Sequence, residues 1–158
     1  MLFIVCGCSG YRMASTTMPG EVTSVYVPFF KNSTQRPGVE TVLTNAVIDE
    51  FTTTVDIVDK GRAEAVLEGT VMFYELKPVS YSTRDVVREY RLTITLAMKL
   101  VRASDGEVLW EDDEITDYGD YVVDIEDVTA TKDAEWDALR KMARDTARLV
   151  KERMLERF

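Results

Sequence analysis

The middle of the chain alternates apolar and polar residues with a period of two. Between Arg88 and Val101, Tyr90, Leu92, Ile94, Leu96, Met98 and Leu100 form an unbroken apolar row opposite Arg91, Thr93, Thr95, Ala97 and Lys99. Successive strand side chains point to opposite faces, so this pattern predicts a long strand with one face in the core and one face polar. Ala63 to Leu76 alternates in the same way, with Ala65, Leu67, Gly69, Val71 and Phe73 on one face and Val66, Glu68, Thr70, Met72 and Tyr74 on the other. Pro78 is expected to end that strand, because proline cannot donate to a ladder. Ser104-Asp105-Gly106-Glu107 is a hairpin signal, and Val108 to Tyr118 is expected to return as the antiparallel partner. Thr23 to Val27, stopped by Pro28, and Val55 to Val58 read as short strands.

Elsewhere the apolar spacing is three and four. Val39, Val42, Leu43, Ala46, Val47 and Phe51 line one face of a helix that ends near Thr52, with Pro37 expected in its first turn. Lys31 to Arg36 is expected to be a polar loop. From about Thr131 to Arg157 a long helix carries Trp136, Leu139, Ala143, Thr146, Val150 and Met154 on its inner stripe. Asp133 and Glu135 fall in its first turn, and Lys151, Arg153 and Arg157 toward its end, as the helix dipole favours. The order β-α-(β)-β-β-β-α predicts an α+β fold, with two helices on one face of a mostly antiparallel sheet of four to five strands. Val66, Met72, Tyr74 and Leu109 would then lie on the face the helices leave open, where clustered apolar residues suggest a partner surface.

Composition narrows the chemistry. The chain has 158 residues, enough for one domain with its own core, and a formal charge of −9, which argues against a nucleic-acid partner. It has no histidine, which removes the commonest general base and zinc ligand. No nucleotide-binding glycine motif or calcium-loop spacing occurs, so neither a cofactor nor a metal is expected. The carboxylates at Glu111, Asp112, Asp113, Glu114, Asp117, Asp120, Asp124, Glu126 and Asp127 read as a solvated acidic edge. Arg140, Arg144 and Arg148 fall four apart on a helix, where Asp137, Lys141, Asp145 and Glu152 interleave and make a solvated face. Arg84, Arg88 and Arg91 sit at the start of the longest strand with no helix partners to explain them, which makes them the better anion-binding set.

The N-terminus carries the chain's cysteines. Met1 to Val5 is an apolar run, and Val5-Cys6-Gly7-Cys8 matches the bacterial lipoprotein signal of an aliphatic residue and small residues before the acylated cysteine. Cys8 fits; Cys6, preceded by the bulky Val5, does not. Several acyl chains on one residue satisfy the requirement for stable membrane attachment. The run lacks a basic residue and is shorter than the ~7–15 residues of a normal apolar region, so the start of the signal is expected upstream. The alternative is a short apolar N-terminus packed on the domain. Ser9 and Gly10 lack the aspartate that marks inner-membrane retention, which favours outer-membrane sorting. The predicted organisation is residual signal peptide at 1–7, lipid attachment and tether at 8–21, and a single α+β periplasmic domain at 22–158.

These pieces, in order, carry a family resemblance. Cys8-Ser9-Gly10-Tyr11-Arg12, then Val25 to Thr34 leading through Arg36-Pro37-Gly38-Val39-Glu40 into Leu43-Thr44-Asn45-Ala46, then Ala63 to Gly69 and Gly106-Glu107-Val108-Leu109-Trp110 resemble the LptE family over nearly the whole chain. That family's members are outer-membrane lipoproteins that partner the lipopolysaccharide translocon barrel LptD. The resemblance implies a non-catalytic plug and folding aid for a β-barrel that binds lipopolysaccharide, with Arg84, Arg88 and Arg91 meeting lipid A phosphates. The stretch Val27 to Thr34 also resembles other periplasmic lipoproteins, among them the small activators of peptidoglycan synthases, which leaves that role as the alternative.

Overall fold

In the computed structural model, residues 17–81, 87–124 and 126–156 are described. A turn of 3₁₀ helix at Pro19–Glu21 leads into β1 (Ser24–Tyr26) and β2 (Lys31–Asn32). Helix α1 (Val39–Phe51) and β3 (Asp56–Ile57) follow. Three long strands come next, β4 (Ala65–Tyr81), β5 (Val87–Arg102) and β6 (Val108–Val122), and α2 (Val128–Glu156) closes the chain. The sheet runs β3-β1-β4-β5-β6, with β2 also on β4, so it has six strands where four to five were expected. The β4–β5–β6 meander is antiparallel, and the short strands pair in parallel. The two helices pack on each other and on one face of this sheet. No described helix is long and apolar enough to cross a membrane.

The strongest alternation folds as read. Leu92, Ile94, Leu96, Met98 and Leu100 are all buried against the helices, as are Leu139, Ala143, Thr146, Val150 and Met154 of α2. Gly106, at φ +77°, takes the left-handed conformation that the β5–β6 hairpin needs. Gly69 makes room for the buried Phe30, because a Cβ there would lie 2.7 Å from the ring.

Four expectations are corrected, each for a local reason. Pro37 precedes α1 rather than opening it: Gly38 turns the chain at φ +90°, its N–H donates to Glu40 Oε2 at 3.1 Å, and the helix begins at Val39. Lys31-Asn32 is not loop but a parallel rung on Thr70-Val71 of β4. Pro78 does not end β4, which continues to Tyr81. Among the described residues its outer side carries no strand at that point, so the donor that proline lacks is not required. Helix α2 starts three residues before Thr131 because Asp127 Oδ1 accepts from the N–H groups of Thr129 and Ala130 at 2.8 and 2.9 Å, an N-cap that fixes the first turn.

Candidate binding surface

One irregularity decides what the sheet presents to solvent. A β-bulge between Val71 and Phe73 shifts the register of β4 against β5 and reverses its alternation. Before it, Ala65, Leu67, Gly69 and Val71 face the helices. After it, Tyr74 and Leu76 turn toward them and Phe73 turns out. The expected assignment of Phe73 to the core and Tyr74 to the open face is therefore reversed, and of the four residues expected on the open face Met72 is exposed, at 51%. Val66 and Leu109 are half-buried.

Beyond the bulge the open face gathers large side chains. Phe73 is 45% exposed, Tyr118 62% and Val122 67%, with Val79 and Tyr81 also exposed. Cross-strand pairs tie β5 to β6 on it: Thr95 and Thr116 hydroxyls lie 2.9 Å apart, and Arg91 makes two bonds to Asp120, Nε to Oδ1 at 2.7 Å and Nη2 to Oδ2 at 2.8 Å. The Arg91 guanidinium also sits 4.6 Å from the centre of the Tyr118 ring. The hydrogen bonds from Arg91 hold the Asp120 carboxyl below its usual range, and Asp120 in turn raises the Arg91 pKa.

The three arginines singled out from the sequence thus fare differently. Arg91 is engaged with Asp120 and Tyr118. Arg88 is exposed near the start of β5, its carbonyl accepting from the Val123 N–H at 2.9 Å. Arg84 and Cys8 lie outside the described residues. The arginine row of α2 behaves as a solvated face: Arg140 pairs with Asp137 and Arg148 with Asp145, both exposed.

A buried polar clasp escaped the sequence reading. Glu135, nearly buried on α2, accepts at Oε1 from Arg36 Nη2 at 2.5 Å and from the Tyr74 hydroxyl at 2.6 Å. The Arg36 guanidinium lies 5.4 Å from the Trp136 ring centre and 6.0 Å from that of Tyr74. Tyr121 stacks on Tyr90 with ring centres 5.9 Å apart. Burial first, then the Glu135 carboxylate, drives the Tyr74 hydroxyl well above the usual phenol range. Burial likewise pushes Tyr121 up to about 12. The clasp joins the loop before α1, the first turns of α2 and the part of β4 beyond the bulge. Its one sequence signal is that Glu135 occupies the inner stripe of α2, four residues before the buried Leu139.

The arrangement offers binding chemistry: a partly apolar sheet face backed by two helices. Among the described residues no group of three acidic or cysteine side chains is placed to hold a metal ion. A family model described as LptE, lipopolysaccharide-assembly, matches residues 22–154. No curated protein matches the chain significantly. Among solved structures, rare lipoprotein B from Shewanella oneidensis is similar at 19% identity and a TM-score of 0.58, over 83% of this chain and 92% of that one. Lipoprotein B from Nitrosomonas europaea is similar at 17% identity and a TM-score of 0.52, over 98% and 91% of the two chains. A minor lipoprotein from Acinetobacter baumannii is similar at 14% identity and 0.52, over 85% and 92%. At these identities the likeness is one of fold.

Proposed function

Since the chain belongs to the LptE family of lipopolysaccharide-assembly proteins, we propose that it is a non-catalytic lipoprotein of the outer membrane, held on the periplasmic face by acyl chains on Cys8. In this reading it binds lipopolysaccharide and fits against a β-barrel of the LptD type, assisting assembly at that membrane. The observation that carries the barrel contact is the helix-free face beyond the bulge. There Phe73, Tyr118 and Val122 are exposed, with Val79 and Tyr81 exposed toward the end of β4, and these are the large side chains a partner would cover.

For lipopolysaccharide, Arg84 and Arg88 are the proposed phosphate contacts, because a guanidinium binds phosphate in a planar, permanently charged geometry. Arg91 belongs to the same strand start, but its charge already meets Asp120. Its proposed part is to keep the Tyr118 ring in place beside the ligand.

Purification of the acylated protein from detergent-solubilised outer membranes tests the reading. A stoichiometric β-barrel and bound lipopolysaccharide are expected in the eluate, and Arg84→Glu with Arg88→Glu lowers the lipopolysaccharide without lowering the barrel. Recovery of a peptidoglycan synthase in place of a barrel would overturn it in favour of the activator role.

A further inference from the structure

Before the bulge, the open face of the sheet carries a groove built from four strands. Phe30 packs into the space that Gly69 leaves on the helix side, so its neighbours Phe29 and Lys31 turn to the other face, where Phe29 is 72% exposed. Lys31 lies opposite Thr70 of β4, and Thr70 opposite Ala97 of β5. On β6 the register slips between Ile115, opposite Leu96, and Asp112, opposite Met98, which brings Asp113 to the level of Ala97. One row thus crosses β2, β4, β5 and β6: a lysine, two short side chains and an aspartate. The short side chains form the floor of a groove of about 470 Å³, with Phe29 and Lys31 at one end and Asp113 at the other.

The charges of this groove are answered unequally. Lys99 and Glu68, both on it, neutralise each other in a 3.0 Å ion pair. Lys31 and Asp113 have no ion-pair partner among the described residues. Neighbouring strands lie about 4.8 Å apart, so three spacings separate the two backbones by roughly 14 Å, and side chains leaning inward leave roughly 6–10 Å between the charges. A ligand that fits carries a carboxylate and an ammonium at that separation, with an apolar group next to the carboxylate to cover Phe29. The phosphate and ammonium of a zwitterionic lipid headgroup stand too close together. The ends of an extended di- or tripeptide span the distance, at about 3.3–3.6 Å per residue.

We infer that this groove binds a short peptide with free ends and an apolar last residue. Its carboxylate meets Lys31, its last side chain covers Phe29, and its amino group meets Asp113. The site lies on the half of the sheet before the bulge and does not rest on the lipopolysaccharide-assembly reading.

The probe is the tripeptide Gly-Gly-Leu, titrated into the full chain and followed by amide NMR shifts. Its companions are the N-acetylated peptide, the C-amidated peptide and the reversed order Leu-Gly-Gly. Binding in the millimolar range is expected, with shifts at Thr70 and Ala97, and blocking either end weakens it about two- to fivefold, as an exposed ion pair allows. Lys31→Gln removes the preference for the free carboxylate and keeps that for the free amine, and Asp113→Asn does the reverse. Both residues are exposed, so both variants fold. Absence of shifts at Thr70 and Ala97, equal binding of free and blocked peptides, a preference for Leu-Gly-Gly, or end preferences that survive both substitutions would each overturn the site. Binding of phosphatidylethanolamine vesicles that both substitutions weaken, with no response to Gly-Gly-Leu, would give the groove to a lipid headgroup and contradict the inference.

Discussion

The sheet divides at the β4 bulge into two halves built from the same three strands. In the first, Ala65 to Val71 of β4 pairs with β1 and β2 on one side and β5 on the other, and every second residue is buried. In the second, Phe73 to Tyr81 loses the short strands, and Tyr74 and Leu76 are only half-buried. In the first half β4 is flanked by strands on both sides. The second is held by α2 and by the Arg36–Glu135–Tyr74 clasp, and it is where the open face turns apolar. Leu92 and Ile94 stay fully buried in the second half too, so the halves differ in β4 and the strands that flank it rather than in β5.

The largest effect that tests this division is a cavity. Leu96→Ala, in the fully buried row, is expected to cost about 2–5 kcal/mol, and Leu76→Ala, the same deletion at a half-buried site beyond the bulge, less than about 2 kcal/mol. Chemical denaturation reads both, and equal costs would erase the distinction.

Next comes the clasp. Arg36→Ala leaves the Glu135 carboxylate buried with only the tyrosine hydroxyl, at a cost of about 1–3 kcal/mol. Hydrogen exchange should locate the loss in the amides of residues 74–81 and 88–92, leaving residues 65–71 protected. Uniform loss of protection would show that the halves unfold as one.

A pH effect is smaller and belongs to the second half. An unfolded tyrosine ionises near about pH 10, whereas folded Tyr121 holds its proton to about 12 and Tyr74 is raised as well. Above pH 10 the unfolded state therefore sheds protons that the native state keeps. This contribution is complete below about pH 10 and is lost as pH rises toward 12. Tyr121→Phe should flatten the decline in melting temperature across that window, and an unchanged slope would remove Tyr121 as its source.

Smallest are Phe73→Ser and Val79→Ser on the open face, expected to alter stability by no more than about 0.5 kcal/mol. A loss of several times that would mean these side chains serve the fold.

The sequence made the first half legible and the second only in part, for one physical reason. In β5 the polar partners Thr93, Thr95 and Lys99 mark the phase of the apolar row. At Val71-Met72-Phe73-Tyr74 all four residues are apolar or aromatic, so either phase satisfies the pattern and the bulge leaves no trace. Asp127 lies in an acidic run that reads as a solvated edge, which hides its role as the N-cap of α2. The Arg91–Asp120 pair and the Arg36–Glu135 pair join residues 29 and 99 positions apart, set by strand register and helix docking rather than by local spacing. The basic character of the strand start was legible; which of its arginines already has a partner was not.

The division of labour itself is tested most directly by photocrosslinking in intact cells, with benzoylphenylalanine placed in turn at Phe73, at Val79, and at Arg140 and Arg144 on the solvated face of α2. The open-face positions are expected to crosslink a single outer-membrane β-barrel while the α2 positions give none. Barrel crosslinks from Arg140 and Arg144, with none from Phe73 or Val79, would contradict the account.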